Sequence, residues 1–498
     1  MIDALAPALL ERAIVSGAAP VLERLVRGGL YVPDCVAAFP SVTPVCAASI
    51  VTGVAQDEHE IPGMNWYHRD EQRYVEYGSS FRAAQRFGIA RQLTDTVYNM
   101  NGAHLSPDTL TVFESLDDRQ VRTAGTTYLM YRGRHRHEPQ RDTALTRMAS
   151  ALVRHPVMGP RELFYADVFA SRRTGCRSNL GMPGVRDRHS GCVSAYLVEH
   201  DLFDFLLLSL PDNDWYSHKH GPDAQVQSIA QADLQLARVM NAAGGVEEFL
   251  AEHAVIAMAD HSQALVTATI ALQDELAELG VLSPARPSRS AERGGQDEPR
   301  IAVCPSQRAA MVYALHPSER DAMRASVATR ALAIEGVDLV LWLERDAHDA
   351  PREGVIASAL GELRFAPGGE LRDVRGRAWS IEGAREVIDA RVRDGLLRTP
   401  AYPDTLARAW SALCCRTSGE VLLSAAPGFE FLDWGRQAHV GGGSHGSLHA
   451  SDSLGALVMH GLDLPAPARS TAAGPTEQWA IRDVAPLALA HFGLAHGG

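Results

Sequence analysis

Lysine is almost missing from this chain. Lys219 is the only lysine among 47 basic residues, and the excess of arginine and alanine points to GC-biased coding more than to function. Positive charge is short as well: 47 Lys and Arg stand against 60 Asp and Glu, a net charge of −13. Gripping a nucleic-acid polymer or an anionic membrane needs a basic surface, so neither is the expected partner. No apolar run is long enough for a membrane-spanning helix. No C-x-x-C pair occurs, and the seven cysteines, at 35, 46, 176, 192, 304, 414 and 415, are odd in number and irregularly spaced. That argues against a disulfide framework or a zinc knuckle and predicts buried free thiols in a reducing compartment. The start has Asp3, Glu11 and Arg12 where a signal peptide needs a basic end and an apolar run. The chain as given is therefore expected in the cytoplasm; an upstream start would change that.

What is present suits a large enzyme. The 498 residues are 46% hydrophobic and 21% charged, which excludes wholesale disorder. Residues 4–28 predict two short helices broken at Gly17. The short apolar runs Phe203–Leu210, Ala254–Ala259 and Glu420–Ser424 predict strands, the first buried on both faces and ended by Pro211. Helical stretches such as 222–240 lie between them. This alternation predicts an α/β fold with a mostly parallel central sheet flanked by helices. Residues 284–300 are polar and rich in Pro, Gly and Arg, as in a loop or linker. Beyond them, short strands mixed with a helix at 318–336 predict an inserted α+β cap subdomain. The division is a core at 1–283, an insertion at 284–415 and a returning core at 416–498.

The chemistry lies where acidic residues and histidines follow strands. Asp260 and His261 follow AVIAMA directly. Asp214 and His218 lie in a predicted loop after FLLLSL. Asp3 follows the stub Met1-Ile2. Ligands of open α/β sheets bind at the carboxyl ends of strands, so these groups could meet at one edge. Carboxylate plus imidazole suits zinc or manganese, although a lone Asp-His is more often a capped turn. Thr43, in FPSVTPVCAASIVTG, could hold a phosphate at a helix start or simply cap that helix before Pro44. His445, in GGGSHG, sits in a glycine run that implies close backbone approach. Arg132–His137 reads as a solvated basic loop, and Trp66 and Tyr67 as either stacking or packing residues. Cys304-Pro-Ser-Gln-Arg308 resembles a sulfatase signature only superficially.

Asp3, the segment around Thr43, HEIPGMNWY at 59–67, DWYSHKHGP at 214–222, ADH at 259–261 and GGGSHG at 441–446 occur in one order along nearly the whole chain. In that order they resemble the alkaline phosphatase superfamily, most closely its type I phosphodiesterase/nucleotide pyrophosphatase branch. The resemblance implies an alkaline-phosphatase-like fold and two divalent ions, usually zinc, with manganese possible. It implies Asp214, His218 and His445 on one ion, and Asp3, Asp260, His261 and the Thr43 oxygen on the other. Thr43 would be the nucleophile, forming a phosphothreonine intermediate, and Asn65 would donate to a phosphate oxygen. The expected activity is hydrolysis of phosphodiester or nucleotide pyrophosphate bonds in a small molecule. A phosphomonoesterase on the same site is the alternative: a basic residue near the third phosphate oxygen favours monoesters, an apolar or aromatic wall diesters. A noncatalytic metal-binding homologue is a third possibility. Asp214 is preferred to Asp212 as a ligand because of its four-residue spacing to His218.

Overall fold

A computed structural model describes residues 1–149, 151–284, 298–346, 348–463 and 478–495. Most of the predicted 284–300 loop lies outside these. The two N-terminal helices are Pro7–Val15 and Pro20–Gly28. Each opens on proline, where a missing N–H leaves no helical bond unmade. Gly17, at φ 72°, breaks the chain between them.

The protein is mixed α/β, but among the described residues its strands are spread over several sheets and not one mostly parallel sheet. Leu454–His460 lies between Leu30–Val36 and Val255–Met258 and runs antiparallel to both. A second sheet orders Phe169–Ala170, Glu162–Tyr165, Thr123–Thr126 and Phe205–Leu208, and its last three strands are parallel. The difference arises because strand direction is set by where a distant segment returns. Hydrophobic runs mark a strand without marking its direction. Phe205–Leu208 is also only half-buried, because it is an edge strand beside a cavity.

Residues 301–398 contribute eight strands of a nine-stranded, largely antiparallel sheet. Its expected strands appear as Ile301–Ser306, Ala309–Ala314, Val337–Arg345, Pro351–Ser358 and Gly361–Asp373, with a helix at Arg320–Ala331. The strand expected in the returning core, Val421–Ala425, instead lies inside this sheet, paired with Ala309–Ala314 and Val337–Arg345. Leu339, Leu341, Ile356 and Phe365 share one buried cluster with Val42, Val45 and Cys46. Strands of the 284–415 segment thus pack on the cluster around Val42, and removing them would expose it to water.

The cysteine expectation needs correction. Cys176 and Cys192 form a disulfide with Cα atoms 5.9 Å apart. The first turns of helix Arg186–Glu199 bring Cys192 back to the preceding loop, a pairing that sequence spacing does not reveal. Cys35, Cys46, Cys304 and Cys415 are buried free thiols, and Cys414 is a half-buried one. The disulfide removes the thiol argument for a reducing compartment. Among the described residues no helix is long and apolar enough to cross a membrane.

Candidate metal centre

Strand ends deliver the cluster. Asp260 and His261 leave the end of Val255–Met258, and both are fully buried. Asp3 is held beside them by its own N–H on Leu210 O (3.1 Å) and by the Asn213 side-chain amide, which donates to Asp3 O (2.7 Å). Ala4 N–H donates to Asp260 Oδ1 at 3.2 Å, locking the two acidic segments together.

Asp214 and His218 stand on a helix, Asp212–His220, where the sequence predicts a loop. The segment has acidic residues in its first turn, His218, Lys219 and His220 in its last, and Gly221 after it, all favourable to a short helix. Four-residue spacing then places Asp214 and His218 on one face, with His218 Nε2 3.3 Å from Asp214 Oδ2. Asp212 turns elsewhere: its carboxylate accepts from the Gly184 and Asp187 N–H groups and from Arg186. The preference for Asp214 follows from this geometry.

The glycine run makes the approach its composition implies. A Cβ on Gly442 would lie 1.9 Å from His218 O, and one on Gly443 2.1 Å from Gln263 Oε1. Only bare backbone fits there, and it carries His445 into the cluster. A Gly442→Ala variant is therefore expected to lose about 1–3 kcal/mol of stability by overpacking and to bind less metal, because His218 must move. Thermal melts and metal per chain by mass spectrometry check this; wild-type values in both would refute it.

The three imidazoles share one arrangement. Nδ1 of His218 lies 2.7 Å from Gly443 O, Nδ1 of His445 2.7 Å from Ser41 O, and Nδ1 of His261 3.2 Å from Ser262 O. A carbonyl oxygen can only accept, so each Nδ1 carries the proton and each neutral ring leaves a lone pair on Nε2. Those Nε2 atoms face carboxylates: His445 to Asp214 Oδ1 at 3.5 Å, and His261 to Asp260 Oδ2 at 3.4 Å and Asp3 Oδ1 at 3.7 Å. The rings of His261 and His445 stack at 3.6 Å between centroids. Asp3 Oδ1 and Asp260 Oδ2 are buried without a hydrogen-bond donor. Buried carboxylates without donors, facing lone pairs, are costly unless a cation joins them. Two ligand groups satisfy that geometry: Asp214, His261 and His445, and Asp3, Asp260 and His261.

Electrostatics reflect the same crowding. Burial, then the neighbouring Asp260 charge, pushes Asp3 well above the usual carboxylate range. Burial raises Asp260 to about 6. Burial also lowers His261 to about 4 and, with the His261 charge, His445 to about 3. For Asp214, burial opposes ionisation, but His218, His445 and His261 outweigh it and hold the carboxyl well below its ordinary value.

Thr43 is the first residue of helix Thr43–Thr52, with Val42 as the N-cap. Its hydroxyl does not cap the helix. Oγ1 lies 3.3 Å from His261 Nε2, at the edge of the cluster. Asn65 is fully buried, its Nδ2 donating to Val75 O at 2.9 Å and its Oδ1 unpartnered. Among the described residues no hydrogen bond joins it to Thr43 or to the cluster.

A sequence profile of the type I phosphodiesterase/nucleotide pyrophosphatase family matches residues 1–352. The chain belongs to that family. It is a phosphoric ester hydrolase. Among curated protein sequences, none matches this chain. Solved structures share its fold. Murine ectonucleotide pyrophosphatase/phosphodiesterase 5 is 11% identical, with a TM-score of 0.56 over 100% of this chain and 95% of that one. An inactive threonine-to-alanine variant of the same murine protein, in complex with AMP, is 11% identical at 0.56 over 100% and 94%. Phosphonoacetate hydrolase from Sinorhizobium meliloti 1021, in complex with phosphonoformate, is 17% identical at 0.50 over 92% and 88%.

Sequence reasoning missed the residues that hold the candidate ligands. Gln263 donates to Asp214 Oδ1 and to Asp214 O. Glu430 accepts from His439 Nδ1 and from Ser444 Oγ, and the His439 ring lies 4.1 Å from that of His218. Arg308 and Asp452 form a fully buried ion pair, and Arg308 N–H donates to His445 O at 2.9 Å. Arg308 ends the Cys304–Arg308 run, Ser444 lies within GGGSHG and Gln263 stands next but one to His261, but none of those motifs signals a supporting role, and Glu430, His439 and Asp452 lie in no motif. The other sequence candidates are structural. Trp66 and Tyr67 are buried among aromatic rings. Arg132 and Arg134 both pair with Glu114 instead of forming an open basic loop. Cys304 is buried in a strand.

Proposed function

We propose that the protein hydrolyses phosphodiester or nucleotide pyrophosphate bonds of small molecules through a phosphothreonine intermediate on Thr43, with two divalent ions, zinc or manganese, as cofactors. The observation that carries this is the set of three Nδ1-anchored imidazoles whose Nε2 atoms meet three carboxylates beside the Thr43 hydroxyl. Asp214, His218 and His445 would hold one ion; Asp3, Asp260, His261 and Thr43 would hold the other. Bound ions would supply Lewis acidity, lowering the pKa of the attacking hydroxyl and neutralising the phosphoryl oxygens.

This chain's own part is to place a nucleophile. Thr43 Oγ attacks phosphorus as the ester oxygen leaves, and water then cleaves the phosphothreonine and restores the hydroxyl. Thr43 stands in the first turn of its helix, where backbone N–H groups favour the developing negative charge. Asn65 keeps one amide hydrogen beyond its bond to Val75 O and is the second proposed donor.

Diesters are favoured over monoesters. Among the described residues no arginine or lysine pairs with Asp3, Asp214 or Asp260, and Arg308 and Arg186 are committed to Asp452 and Asp212. That supports the diester reading, since a monoester's extra charge calls for a cationic side chain beside the site. Segment 284–415 borders the site through the turn at Ser306–Arg308, against His445 and Gly446. That placement supports its role as a cap that selects the group attached to phosphate. The test is metal-reconstituted protein assayed on bis(p-nitrophenyl) phosphate and p-nitrophenyl phosphate. We expect about two ions per chain and faster turnover of the diester. Full activity without bound metal would sink the metal reading; faster monoester turnover would reverse the substrate assignment.

A further inference from the structure

Thr43 and His445 are carried by two loops that run side by side, and Ser41 sits where they meet. Its N–H donates to Gly446 O at 3.2 Å. Its hydroxyl donates to Ser447 O at 3.0 Å and accepts from Gly446 N–H at 3.0 Å. Its carbonyl lies 2.7 Å from His445 Nδ1. The spacing between Thr43 and the candidate ligand therefore depends on what holds these two loops together.

Arg408 holds both. It stands on helix Thr405–Cys414, at the end of segment 284–415, and is 4% exposed. Its Nη2 donates to Ala38 O at 2.9 Å and to Ser453 Oγ at 2.7 Å. Its Nη1 donates to Leu448 O at 3.1 Å and to Pro403 O at 3.0 Å. Ala38 lies five residues before Thr43, and Leu448 three after His445. Ser453 Oγ in turn donates to Ser447 O at 3.0 Å, beside the bond from Ser41. One guanidinium thus closes a ring of bonds around the approach to both site residues.

Packing alone does not call for this group. Burial lowers its pKa to about 10, so it stays charged at neutral pH. Yet among the described residues it bonds only neutral oxygens. The carboxylates that favour its charge, Asp404 and Asp452, pair with Arg377 and Arg308 instead. Its Nε is buried with no acceptor. A buried charge of this kind costs stability, and an apolar side chain of similar volume often fills such a place better. What an apolar or point-charged side chain cannot do is hold Ala38 O and Leu448 O at once in a fixed geometry; a planar fork can.

We propose that Arg408 is a positioning residue for the hydrolytic reaction: its fork ties the Thr43 loop to the His445 loop and fixes the nucleophile against the candidate metal centre. This inference rests on the reading of Thr43 as the nucleophile. It gives segment 284–415 a part in placing that nucleophile, separate from any role as a cap.

The test is Arg408→Lys, which keeps the charge and loses the fork. Well below the melting temperature, kcat on bis(p-nitrophenyl) phosphate per metal-loaded chain should fall about ten- to a hundredfold, with KM within about twofold and metal content unchanged, as when a reacting group is misplaced. On the metal-free chain, hydrogen exchange read by mass spectrometry should quicken at 38–46 and 445–448 together and stay at wild-type rates elsewhere. A merely structural role predicts the reverse: exchange raised across the whole fold, a lower melting temperature and wild-type kcat per folded chain. That result would overturn the proposal. Ser453→Ala removes one acceptor and leaves the buried charge in place; kcat should fall about threefold, and the double variant should lose less than the product of the two effects, because both loosen one clamp. If Arg408→Lys fails to fold, Ser453→Ala decides: wild-type kcat and wild-type exchange in it would refute the positioning role. Acid-quenched single turnovers separate this inference from the one beneath it. Label trapped on wild-type Thr43, with wild-type kcat in the variants, refutes Arg408 alone. No label on the wild-type protein removes the nucleophile reading and this inference with it.

Discussion

A Thr43→Ala variant is expected to lose turnover by about 10³-fold or more while keeping its fold and its metal. The argument is local. Among the described residues the Thr43 hydroxyl makes one contact, to His261 Nε2, and it does not cap its helix. Removing it costs no cap bond, and alanine is a better helix former than threonine. Stability should therefore change by less than about 1 kcal/mol, the range of substitutions that break no packing or cap. The loss should fall on kcat, because the covalent step disappears while the carboxylates and imidazoles remain. Thr43→Ser should retain a measurable fraction, since a hydroxyl stays on the same backbone atom. Single-turnover assays with a phosphorus-labelled diester, quenched in acid, should trap label on wild-type protein and none on Thr43→Ala. If the alanine variant keeps more than about a tenth of wild-type turnover, water attacks directly and the phosphothreonine must be abandoned.

The site is more legible in the sequence than the fold, for a physical reason. Asp214, Asp260, His261 and His445 sit where strand or glycine signals end, and those signals are local. A run such as AVIAMA stops because the chain must turn, and the residues at that turn must lie at a sheet edge. The four-residue step from Asp214 to His218 holds even though a helix stands where a loop is expected, because the same spacing is a helical face. Pairing direction is illegible. Leu454–His460 runs against both neighbours after a return of nearly two hundred residues from Val255–Met258, and no local pattern encodes that. Val421–Ala425 reads as a core strand by composition, yet its partners are Ala309–Ala314 and Val337–Arg345. The Cys176–Cys192 bond and the Gln263 and Glu430 supports are likewise products of tertiary approach. Asn65 shows the limit of motif transfer: its role comes from the resemblance alone, and part of its bonding capacity goes to Val75.

Metal removal should have the second large effect, and its size should depend on pH. Chelation is expected to abolish hydrolysis and to lower the melting temperature; zinc or manganese should restore both. With free metal at 1,000 times its dissociation constant, linkage makes this stabilisation about 4 kcal/mol. Protons compete for the same ligands. Burial raises Asp260 to about 6 and holds Asp3 well above the ordinary carboxylate range, so the metal-free folded protein binds protons that the unfolded chain does not. The Asp260 contribution to metal-free stability is fully present below the ordinary carboxylate pKa of about 4 and is lost as pH rises through about 6, and Asp3 acts in the same direction. His218 adds to the competition: burial opposes its charge, but Asp214 outweighs burial and raises its pKa. His261 and His445, lowered to about 4 and about 3, are mostly neutral and ready to ligate above about pH 5. Ligation must therefore expel protons chiefly from carboxylates and His218, and metal affinity should fall as pH drops below about 6. The measurement is a pair of melting curves, metal-loaded and chelated, from pH 4.5 to 7.5. The gap between them should be wide at pH 7.5 and close towards pH 5. A gap of constant width would mean that no proton leaves on binding, which these buried carboxylates do not allow if they are the ligands.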